Sequence, residues 1–409
     1  MQVAGIGAPR MTPGAAGASA ATVPQPGVLA FAAALAFALA AATLAQGARM
    51  LGLLALGLLI GMTLYHAAFG FAGAYRALIE RRSARGVRAQ LFMLAAATLL
   101  FAPALAQGTL FGRDVVGAIA PAGVPVAAGA FLFGIGMQLA GGCGSGTLYA
   151  AGSGRPRMAL ALAAFCGGGF WASLHMEFWA RLPAPEALAL GDAFGWPLAV
   201  ALQLAALAAL WALLGLPRWA GGGPRPPRAP GLAFLWQGSW PLATGALLLA
   251  LANFATLALA GHPWSITWAF TLWAAKAARL LGWDPAGEPF WNADFQRAAL
   301  EGSVLADVTS VMDFGIVLGA LAAAALAGRF APRARFTAGA VMAALAGGLA
   351  MGYGARIAFG CNVGAFFSGV ASTSLHGWLW IAAALPGCWV GLKLLPLFAM
   401  QRQRRAGAP

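Results

Sequence analysis

The chain has 409 residues, of which 61% are hydrophobic and only 9% are charged. Because soluble domains carry about 25% charged residues, this composition excludes an ordinary soluble protein. The net charge of +14 does not indicate nucleic-acid binding, since the basic residues lie in short clusters between apolar segments. The sequence therefore predicts an all-α, polytopic membrane protein.

In chain order, residues 1–27 are rich in Gly, Ala, Pro and Thr and predict a disordered N-terminal tail. Apolar segments long enough to cross a bilayer then recur, and we expect about nine to eleven membrane-embedded helices, including short re-entrant ones. The segments are 28–45, the shorter 50–65, 91–107, 124–140, 158–179, 196–216, 242–260, 264–281, 308–327, 336–351 and 378–397.

The charges between these segments predict the topology. Cytoplasmic loops of membrane proteins are enriched in Lys and Arg, so we place the basic clusters and the basic C-terminal tail, 399–409, in the cytoplasm. These clusters are 76–88, 155–157, 218–228, 329–335 and 402–405. We place most acidic residues outside, namely Glu177, Glu186, Asp192, Asp284, Glu288, Asp294, Glu301 and Asp307. A location in the cell inner membrane follows as an expectation.

The segment "GGGPRPPRAPG", 221–231, predicts a linker between two membrane repeats, 28–220 and 232–398. A shared motif supports the duplication. When "GIGMQLAGGCGSG" (134–146) is set over "GYGARIAFGCNVG" (352–364), four glycines and one cysteine coincide, and each pair lies 218 residues apart. The pattern G-x-G-x5-G-C-x2-G therefore indicates an internal repeat.

The two halves are predicted to be antiparallel. The apolar segment before the first motif, 91–107, follows an Arg-rich loop, whereas its equivalent before the second motif, 308–327, follows an acidic loop and ends at Arg329. Inverted repeats are typical of transporters, whose substrate site lies near the bilayer midplane where the halves meet. The pattern favours a transporter over an enzyme or a purely structural membrane protein.

The glycines of each motif predict an interrupted helix. In "GGCGSGTLYAAGSG", 141–154, we expect one helix to end near Cys143 and the next to begin after Gly154. Freed amide groups are tolerated in a membrane where they line a cavity, and they suit an anion. The alternative is close helix packing through small residues. The candidate binding residues beside the cysteines are Gly142, Gly144, Ser145, Gly146, Gly360, Asn362 and Gly364.

The four cysteines fall into two groups. Cys143 and Cys361 occupy the same repeat position, so inverted halves would bring both thiols to the symmetry axis, and we expect unpaired thiols that line a substrate path. For Cys166 and Cys388 we favour buried hydrophobic positions. Because C-x2-C spacing and neighbouring His residues are lacking in the sequence, we expect neither a metal nor a cofactor.

Other polar residues in apolar segments leave alternatives open. Arg356 either attracts negative charge or snorkels and pairs with an acid. We interpret Asp307 as a helix N-terminal partner and Asp313 as a packing contact in preference to an ion site. The histidines, which adjoin Tyr or Trp at predicted helix ends, are interpreted as interfacial in preference to a proton relay.

The paired stretches "GGCGSGTLYAAGSG" and "GCNVGAFFSGVASTSLHGW" resemble the YeeE/YedE membrane family of sulfur transporters. "HAAFGFAGAYRAL" (66–78) and "SVMDFGIVLGALAAA" (310–324) support the resemblance, which spans roughly residues 30–398. The resemblance implies an hourglass-shaped protein in which thiosulfate passes a narrow centre, where the thiols of Cys143 and Cys361 hydrogen-bond to the anion.

One departure from the family pattern concerns a third cysteine. The resemblance implies a functional cysteine in the first helices, but this sequence has none before Cys143, so Cys166 or Cys388 would have to take its place. Another sulfur oxyanion or a selenium species is the alternative cargo. A small cytosolic sulfur-carrier protein is an implied partner. The alternative function is a membrane-bound thiol enzyme that relays persulfide sulfur, although the motifs contain no His or Lys to serve as a base.

Overall fold

The computed structural model describes residues 23–221, 231–332 and 336–406. Most of the predicted tail 1–27 and nearly all of the predicted linker 221–231 lie outside these residues, so the expectations for both stay untested. The chain is almost entirely helical over the described ranges. The α-helices are α1 Pro26–Leu44, α2 Ala48–His66, α3 Phe71–Arg81, α4 Arg85–Gln107, α5 Val124–Ala140, α6 Gly144–Gly152, α7 Pro156–Ser173, α8 Met176–Ala180, α9 Leu190–Phe194, α10 Trp196–Leu213, α11 Phe234–Gln237, α12 Leu242–Ala260, α13 Thr267–Leu280, α14 Pro289–Asn292, α15 Asp294–Glu301, α16 Val308–Leu326, α17 Ala338–Ile357, α18 Ser368–Ala371 and α19 Leu375–Ala406.

The remaining regular elements are short. Asn362–Phe367 forms a π-helical segment directly before α18. Four single-turn 3-10 helices are Pro217–Trp219, Gly231–Ala233, Pro285–Gly287 and Val304–Ala306. Two antiparallel strands of two residues, β1 Thr109–Leu110 and β2 Arg113–Asp114, form a small hairpin after α4. The all-α class is therefore confirmed.

Nine helical segments in the described parts of the chain are long and apolar enough to cross a membrane. Three of them join two or more helices, since α2 with α3, α5 with α6, and α17 through α18 each form one continuous apolar stretch. Helix α13 is shorter than its predicted segment 264–281. Its 14 residues span about 21 Å, less than the ~30 Å hydrocarbon thickness. The protein is a multi-pass membrane protein.

Helices α1 and α10 lie at the periphery. They carry large exposed apolar side chains, including Phe31 and Phe37 on α1 and Leu198 and Leu202 on α10. In water such surfaces would be unfavourable, whereas in a bilayer they face lipid tails. Helix α1 packs against α16, and α10 packs against α4.

The centre of the molecule is formed by α5, α7, α17 and α19. Helix α5 packs against both α17 and α19, and α7 packs against α17. Small residues allow the close approach: a Cβ atom added to Gly136 would lie 2.5 Å from the Gly347 carbonyl oxygen, and one added to Gly354 would lie 2.8 Å from the Phe133 nitrogen. For the glycines upstream of each cysteine, the alternative of small-residue helix packing is therefore correct.

Polar residues at helix ends mostly serve the fold. Asp307 is the N-cap of α16, where its Oδ2 accepts hydrogen bonds from the Ser310 amide at 2.8 Å and the Ser310 hydroxyl at 2.7 Å. This confirms its predicted role at a helix N-terminus. Lys276 Nζ donates to the carbonyl oxygens of Leu300 and Gly302 at 2.8 and 2.7 Å, which fixes the end of α15. His66 and His376 are buried within the protein at helix ends, and their interfacial placement stays a prediction.

Candidate functional site

The first glycine motif breaks the chain between α5 and α6. Helix α5 ends where Gly141 adopts a left-handed conformation with φ of +84°, which glycine reaches without steric cost. Cys143 is extended and is the N-cap residue of α6. The break covers only residues 141–143, so the prediction that it continues to Gly154 is wrong. Helical packing overrides the low helix propensity of the glycines that follow Cys143.

The second motif repeats this geometry between α17 and the π-helical segment Asn362–Phe367. Phe359 has a left-handed φ of +59° at the position equivalent to Gly141, and Gly360 has a φ of +144°. Cys361 is extended, as Cys143 is, and is the N-cap of the following segment. Each cysteine therefore lies at a helix start directly after a sharp turn, which agrees with the duplication inferred from the sequence.

The two breaks meet in space. A Cβ atom added to Gly144, the residue after Cys143, would lie 3.1 Å from Cys361 Sγ. One added to Gly146 would lie 3.3 Å from Cys143 Sγ. Both thiols thus border the first turn of α6, and the absence of side chains at Gly144 and Gly146 lets each sulfur pack closely against the backbone. Both cysteines are 1% exposed and unpaired.

Hydrogen-bond donors surround Cys143. The first backbone hydrogen bond of α6 runs from the Thr147 amide to the Cys143 carbonyl oxygen at 2.8 Å, and no side chain caps this helix N-terminus. The amides of Gly144, Ser145 and Gly146 therefore precede the first intrahelical bond, and such amides together with the helix dipole favour an anion. Ser145 Oγ lies 3.5 Å from Cys143 Sγ.

The surroundings of Cys361 differ in detail. Its sulfur accepts a hydrogen bond from the Val363 amide at 3.4 Å. Asn362 is completely buried, and both of its amide atoms lack a hydrogen-bond partner within the described parts of the chain. An unpaired buried amide is costly, and a polar neighbour of Asn362 is the hydroxyl of Tyr75, which also lacks a hydrogen-bond partner of good geometry among the described residues. Gly364 faces Ser265, whose Oγ would lie 3.2 Å from an added Cβ atom.

A cavity of about 850 Å³ reaches the first motif, with Gly142, Cys143 and Gly146 on its wall. We name it the arginine cavity, because four arginines line it: Arg81, Arg85, Arg155 and Arg157. Arg157 also fixes the break, since its Nη2 donates to the carbonyl oxygens of Leu139 and Ala140, both at 3.1 Å, at the end of α5. The cavity combines positive charge with free amide donors.

A second cavity, of about 560 Å³, reaches the second motif at Gly360 and is named here the Arg356 cavity. The guanidinium carbon of Arg356 lies 5.2 Å from the ring centre of Phe290 and 6.0 Å from that of Trp268. Its Nε is buried and has no hydrogen-bond partner among the described residues. Arg356 therefore faces a cavity in contact with aromatic rings, and none of the described acidic residues pairs with it, which favours the first of its two predicted roles.

Cys361 lines neither cavity, although its neighbour Gly360 lines the Arg356 cavity and Cys143 lines the arginine cavity. Cys388 is fully buried and Cys166 is half-buried, and the linings of these two cavities contain neither. In the described parts of the chain no group of three His, Cys, Asp or Glu side chains could hold a metal ion. The sulfur atoms at the two helix breaks are those of Cys143 and Cys361, and Cys388 lies near Cys143.

Sequence reasoning missed several residues of this site. Arg157 was counted only as a topology signal, although it caps α5 and lines the arginine cavity. Tyr149 lines the same cavity, and Ser265 and Thr267 line the Arg356 cavity. The spacing Arg155-x-Arg157 directly after a glycine motif was the available signal. For Ser265 and Thr267 the sequence held none, because only the tertiary fold brings α13 to Cys361.

Comparison with known proteins identifies the family. The model of the family described as "Sulphur transport" matches residues 66–390, which is most of the chain. "Probable transporter YedE" of Escherichia coli (strain K12) is 37% identical over 145 residues, which are 34% of this chain and 34% of that protein. The chain thus aligns with about a third of the length of this relative.

Two longer alignments cover nearly the whole of their relatives. "Thiosulfate transporter TsuA" of Spirochaeta thermophila is 28% identical over 361 residues, or 82% of this chain and 96% of that protein. "Thiosulfate transporter TsuA" of Escherichia coli (strain K12) is 26% identical over 374 residues, or 86% of this chain and 96% of that protein. Because the family model covers both cysteine motifs and the helices between them, the chain belongs to the sulphur transport family.

Proposed function

We propose that this protein imports a small sulfur-containing anion, thiosulfate, through the constriction between the two cavities. The observation that supports the proposal most is the close approach of the two repeat motifs. Cys361 Sγ would lie 3.1 Å from a Cβ atom added to Gly144, and the two motifs border the arginine cavity and the Arg356 cavity. The printed names of two relatives, thiosulfate transporters aligned over 96% of their length, support thiosulfate as the substrate.

The donors at the constriction suit the desolvation of a dianion. Moving a doubly charged anion from water into an apolar environment without compensation costs tens of kcal/mol. The thiols of Cys143 and Cys361, the amides of Gly144 to Gly146 and the unpaired amide group of Asn362 replace part of its water shell. Thiol donors are weak, which lets the anion leave as well as enter. Cys143 and Cys361 thus pass the anion from one cavity to the other.

The arginines support an assignment of each cavity to one side of the membrane. By the positive-inside rule, the arginine cavity faces the cytoplasm and the Arg356 cavity faces the opposite side of the inner membrane. Arg356 concentrates anions at the entrance, and the four arginines of the arginine cavity attract the anion after the constriction. The same rule places the C-terminus in the cytoplasm.

The arginine cavity also suits a cytosolic partner. A small sulfur-carrier protein that approaches this face would meet Arg81, Arg85 and Arg155, and an acidic surface around its own sulfur site would match them. Such a partner would take the anion where it leaves the membrane. A selenium oxyanion such as selenite would satisfy the same donors and is the alternative cargo. No part of this path requires the protein to act as an enzyme.

The packing supports a division of the chain into inverted repeats. Exchange of α5 with α17 and of α7 with α19 interchanges the α7–α17 and α5–α19 contacts and preserves the α5–α17 contact. When α4 is exchanged with α16 as well, the contact of α1 with α16 matches that of α10 with α4. We therefore assign α1 to α7 to one repeat and α10 to α19 to the other. This division moves α10 from the first half, where the linker predicted it, to the second.

The proposal is tested by growth and by uptake. A bacterium that lacks its own sulfate and thiosulfate uptake is given this gene and grown on thiosulfate as sole sulfur source, followed by uptake of ³⁵S-thiosulfate. We expect growth with the wild type, little with Cys143→Ser or Cys361→Ser, and normal growth with the matched control Cys166→Ser. No growth with the wild type would show that the cargo is wrong, and normal growth with both motif variants would contradict the cysteine path.

A further inference from the structure

Asp313, in the second turn of α16, is a buried carboxyl group that the transport path above does not use. The residue has no exposed surface, and neither carboxyl oxygen has a hydrogen-bond partner in the described parts of the chain. Ionisable residues within membrane helices are costly and mark functional positions in the absence of a structural role. The packing contact predicted from the sequence does not explain why this position carries a carboxyl group.

Asp307, six residues earlier, has a structural role at the N-terminus of this helix and serves as a comparison for Asp313. Its Oδ2 accepts from the amide and the hydroxyl of Ser310, and its Oδ1 accepts from Trp268 Nε1 at 3.0 Å. Asp307 also lines the Arg356 cavity, where water reaches it. Asp313 has neither these partners nor this contact with water, so a helix-capping role does not apply to it.

The position of Asp313 along α16 lies between the two sides of the constriction. Thr309, one helical turn before it, lines the Arg356 cavity. Val317, one turn after it, contacts Gly152 of α6, and other residues of α6 line the arginine cavity. One turn is about 6 Å along the helix. The carboxyl group therefore lies roughly one turn from the end of one cavity and beside the helix that borders the other.

Few ionisable groups face Asp313. Among the elements packed against α16, the residues of α1, α11 and Val304–Ala306 contain none. Arg49, Tyr65 and His66 lie at the ends of α2, whereas the part of α2 that contacts α16 near Asp313 is Gly57. The other ionisable groups on these elements, together with the thiols that interact electrostatically with Asp313, are Tyr149 of α6, Lys276 and Arg279 of α13, Cys166 and Cys361.

An ionised carboxylate in this position would lack both water and a counter-ion, which is strongly unfavourable in a low-dielectric interior. The neutral acid is therefore the resting form, and it holds one proton between the cavities. A dianion that reaches Cys361 changes the charge close to this proton. The position thus meets two requirements of a proton carrier in a membrane transporter, namely burial without a partner and a place along α16 between the Arg356 cavity and the helix that borders the arginine cavity.

We propose that Asp313 is the proton-binding site that couples thiosulfate uptake to proton entry. One proton passes from the water of the Arg356 cavity to the carboxyl group and leaves it for the water of the arginine cavity, while thiosulfate passes the two cysteines. Only O–H bonds form and break, and the proton is conserved. This inference rests on the proposed function, because the coupled substrate is the anion that the cysteines pass.

The experiment uses the purified full-length protein in proteoliposomes that contain a trapped pH-sensitive dye, with the membrane potential held at zero by potassium and valinomycin. We expect external thiosulfate to acidify the lumen of wild-type vesicles, and an acidic outside to increase ³⁵S-thiosulfate accumulation about tenfold. The absence of any thiosulfate uptake would overturn the proposed function. Uptake without acidification would overturn only the coupling. Lumen acidification and thiosulfate uptake are both measured with the wild-type protein and require no variant.

The variant Asp313→Asn, which preserves shape and removes the titrating group, assigns the coupling to this residue. We expect it to lose the tenfold accumulation while its exchange of internal for external thiosulfate at equal pH stays within about twofold of wild type. Asp313→Glu should retain coupling, and Asp294→Asn, an exposed acid, serves as the control. If Asp313→Asn transports the same number of protons per thiosulfate as the wild type, the assignment to Asp313 is wrong. Loss of proton coupling in the control Asp294→Asn would overturn it as well.

Discussion

The sulfur of Cys361 lies against the backbone of Gly144, which directly follows Cys143, so that a Cβ atom at this glycine would be only 3.1 Å from the sulfur. Thr267 bounds the same space, with its Cγ2 atom at 3.7 Å from that Cβ position. A contact of 3.1 Å is too close for carbon and sulfur, whose favourable separations are about 3.5–4.0 Å. On the proposed function, a side chain at Gly144 would therefore narrow the space between the two motifs.

The first prediction is that Gly144→Ala narrows the constriction and reduces thiosulfate uptake. We expect at least a tenfold decrease in the initial rate of ³⁵S-thiosulfate uptake, with an unchanged amount of protein in the membrane. The matched control is Gly167→Ala in α7, where an added Cβ atom would lie 3.9 Å from the nearest neighbour, Leu349. Equal uptake by Gly144→Ala and wild type would place the path elsewhere.

The second prediction concerns Gly360, whose backbone conformation only glycine adopts readily. Its φ is +144°, and an added Cβ atom would lie 2.8 Å from the Ala365 nitrogen, so Gly360→Ala is both strained and in collision with backbone. Strain of this kind costs about 1–3 kcal/mol, and we expect a lower unfolding temperature in detergent together with lost uptake. Gly287→Ala, at an open position with an ordinary φ, should unfold at the wild-type temperature; a similar decrease there would refute the strain argument.

Much of the fold could be predicted because a bilayer imposes a simple rule on the sequence. Helices α4, α5, α12 and α16 begin or end within a few residues of their predicted apolar segments, apart from the start of α4 at Arg85. That start was missed because the charged residues 85–88 lie outside the apolar segment although they continue the same helix. Hydropathy therefore predicts the part of each helix that lies within the hydrocarbon region. It does not predict the helical turns that extend beyond that region.

The candidate site could be predicted only in part from the sequence, because some of its contacts depend on tertiary packing. Equivalent positions in the repeats identified Cys143 and Cys361 as a pair, and the structure brings the two motifs together. The same symmetry failed at Gly144 and Asn362, which share a repeat position but have different surroundings, a close sulfur in one case and an unpaired amide in the other. The contributions of α13 depend on tertiary packing, which a repeat comparison does not reveal.

The third prediction concerns the accessibility of the two thiols. Both thiols are 1% exposed, but Cys143 borders the arginine cavity and Cys361 borders neither of the two cavities, so a membrane-impermeant thiol reagent should modify Cys143 slowly and leave Cys361 largely unmodified. In a Cys166→Ala background we expect labelling in inside-out vesicles, little in right-side-out vesicles, and protection by thiosulfate. Removal of Cys143 by Cys143→Ser should abolish the signal. Labelling from the opposite side would reverse the proposed orientation of the arginine cavity.

The fourth prediction is that Arg356 determines the affinity for thiosulfate at the entrance. Its guanidinium lines the cavity that leads to Gly360, with Phe290 and Trp268 on its apolar side, and its planar group can donate two hydrogen bonds to one oxyanion. A hydrogen bond to a charged group contributes about 1.5–3 kcal/mol, which corresponds to roughly a 10- to 100-fold change in affinity.

Arg356→Gln should therefore raise the KM of thiosulfate uptake at least tenfold with a smaller change in maximal rate, and Arg356→Lys should recover part of the loss through its charge alone. The matched control is Arg297→Gln, which removes an exposed arginine paired with Asp294 on the nearby helix α15. Because an exposed ion pair contributes little, its KM should equal that of wild type. If Arg356→Gln does not change the KM, the guanidinium of Arg356 serves only as a contact to the aromatic rings. The anion would then enter the protein elsewhere than through the Arg356 cavity.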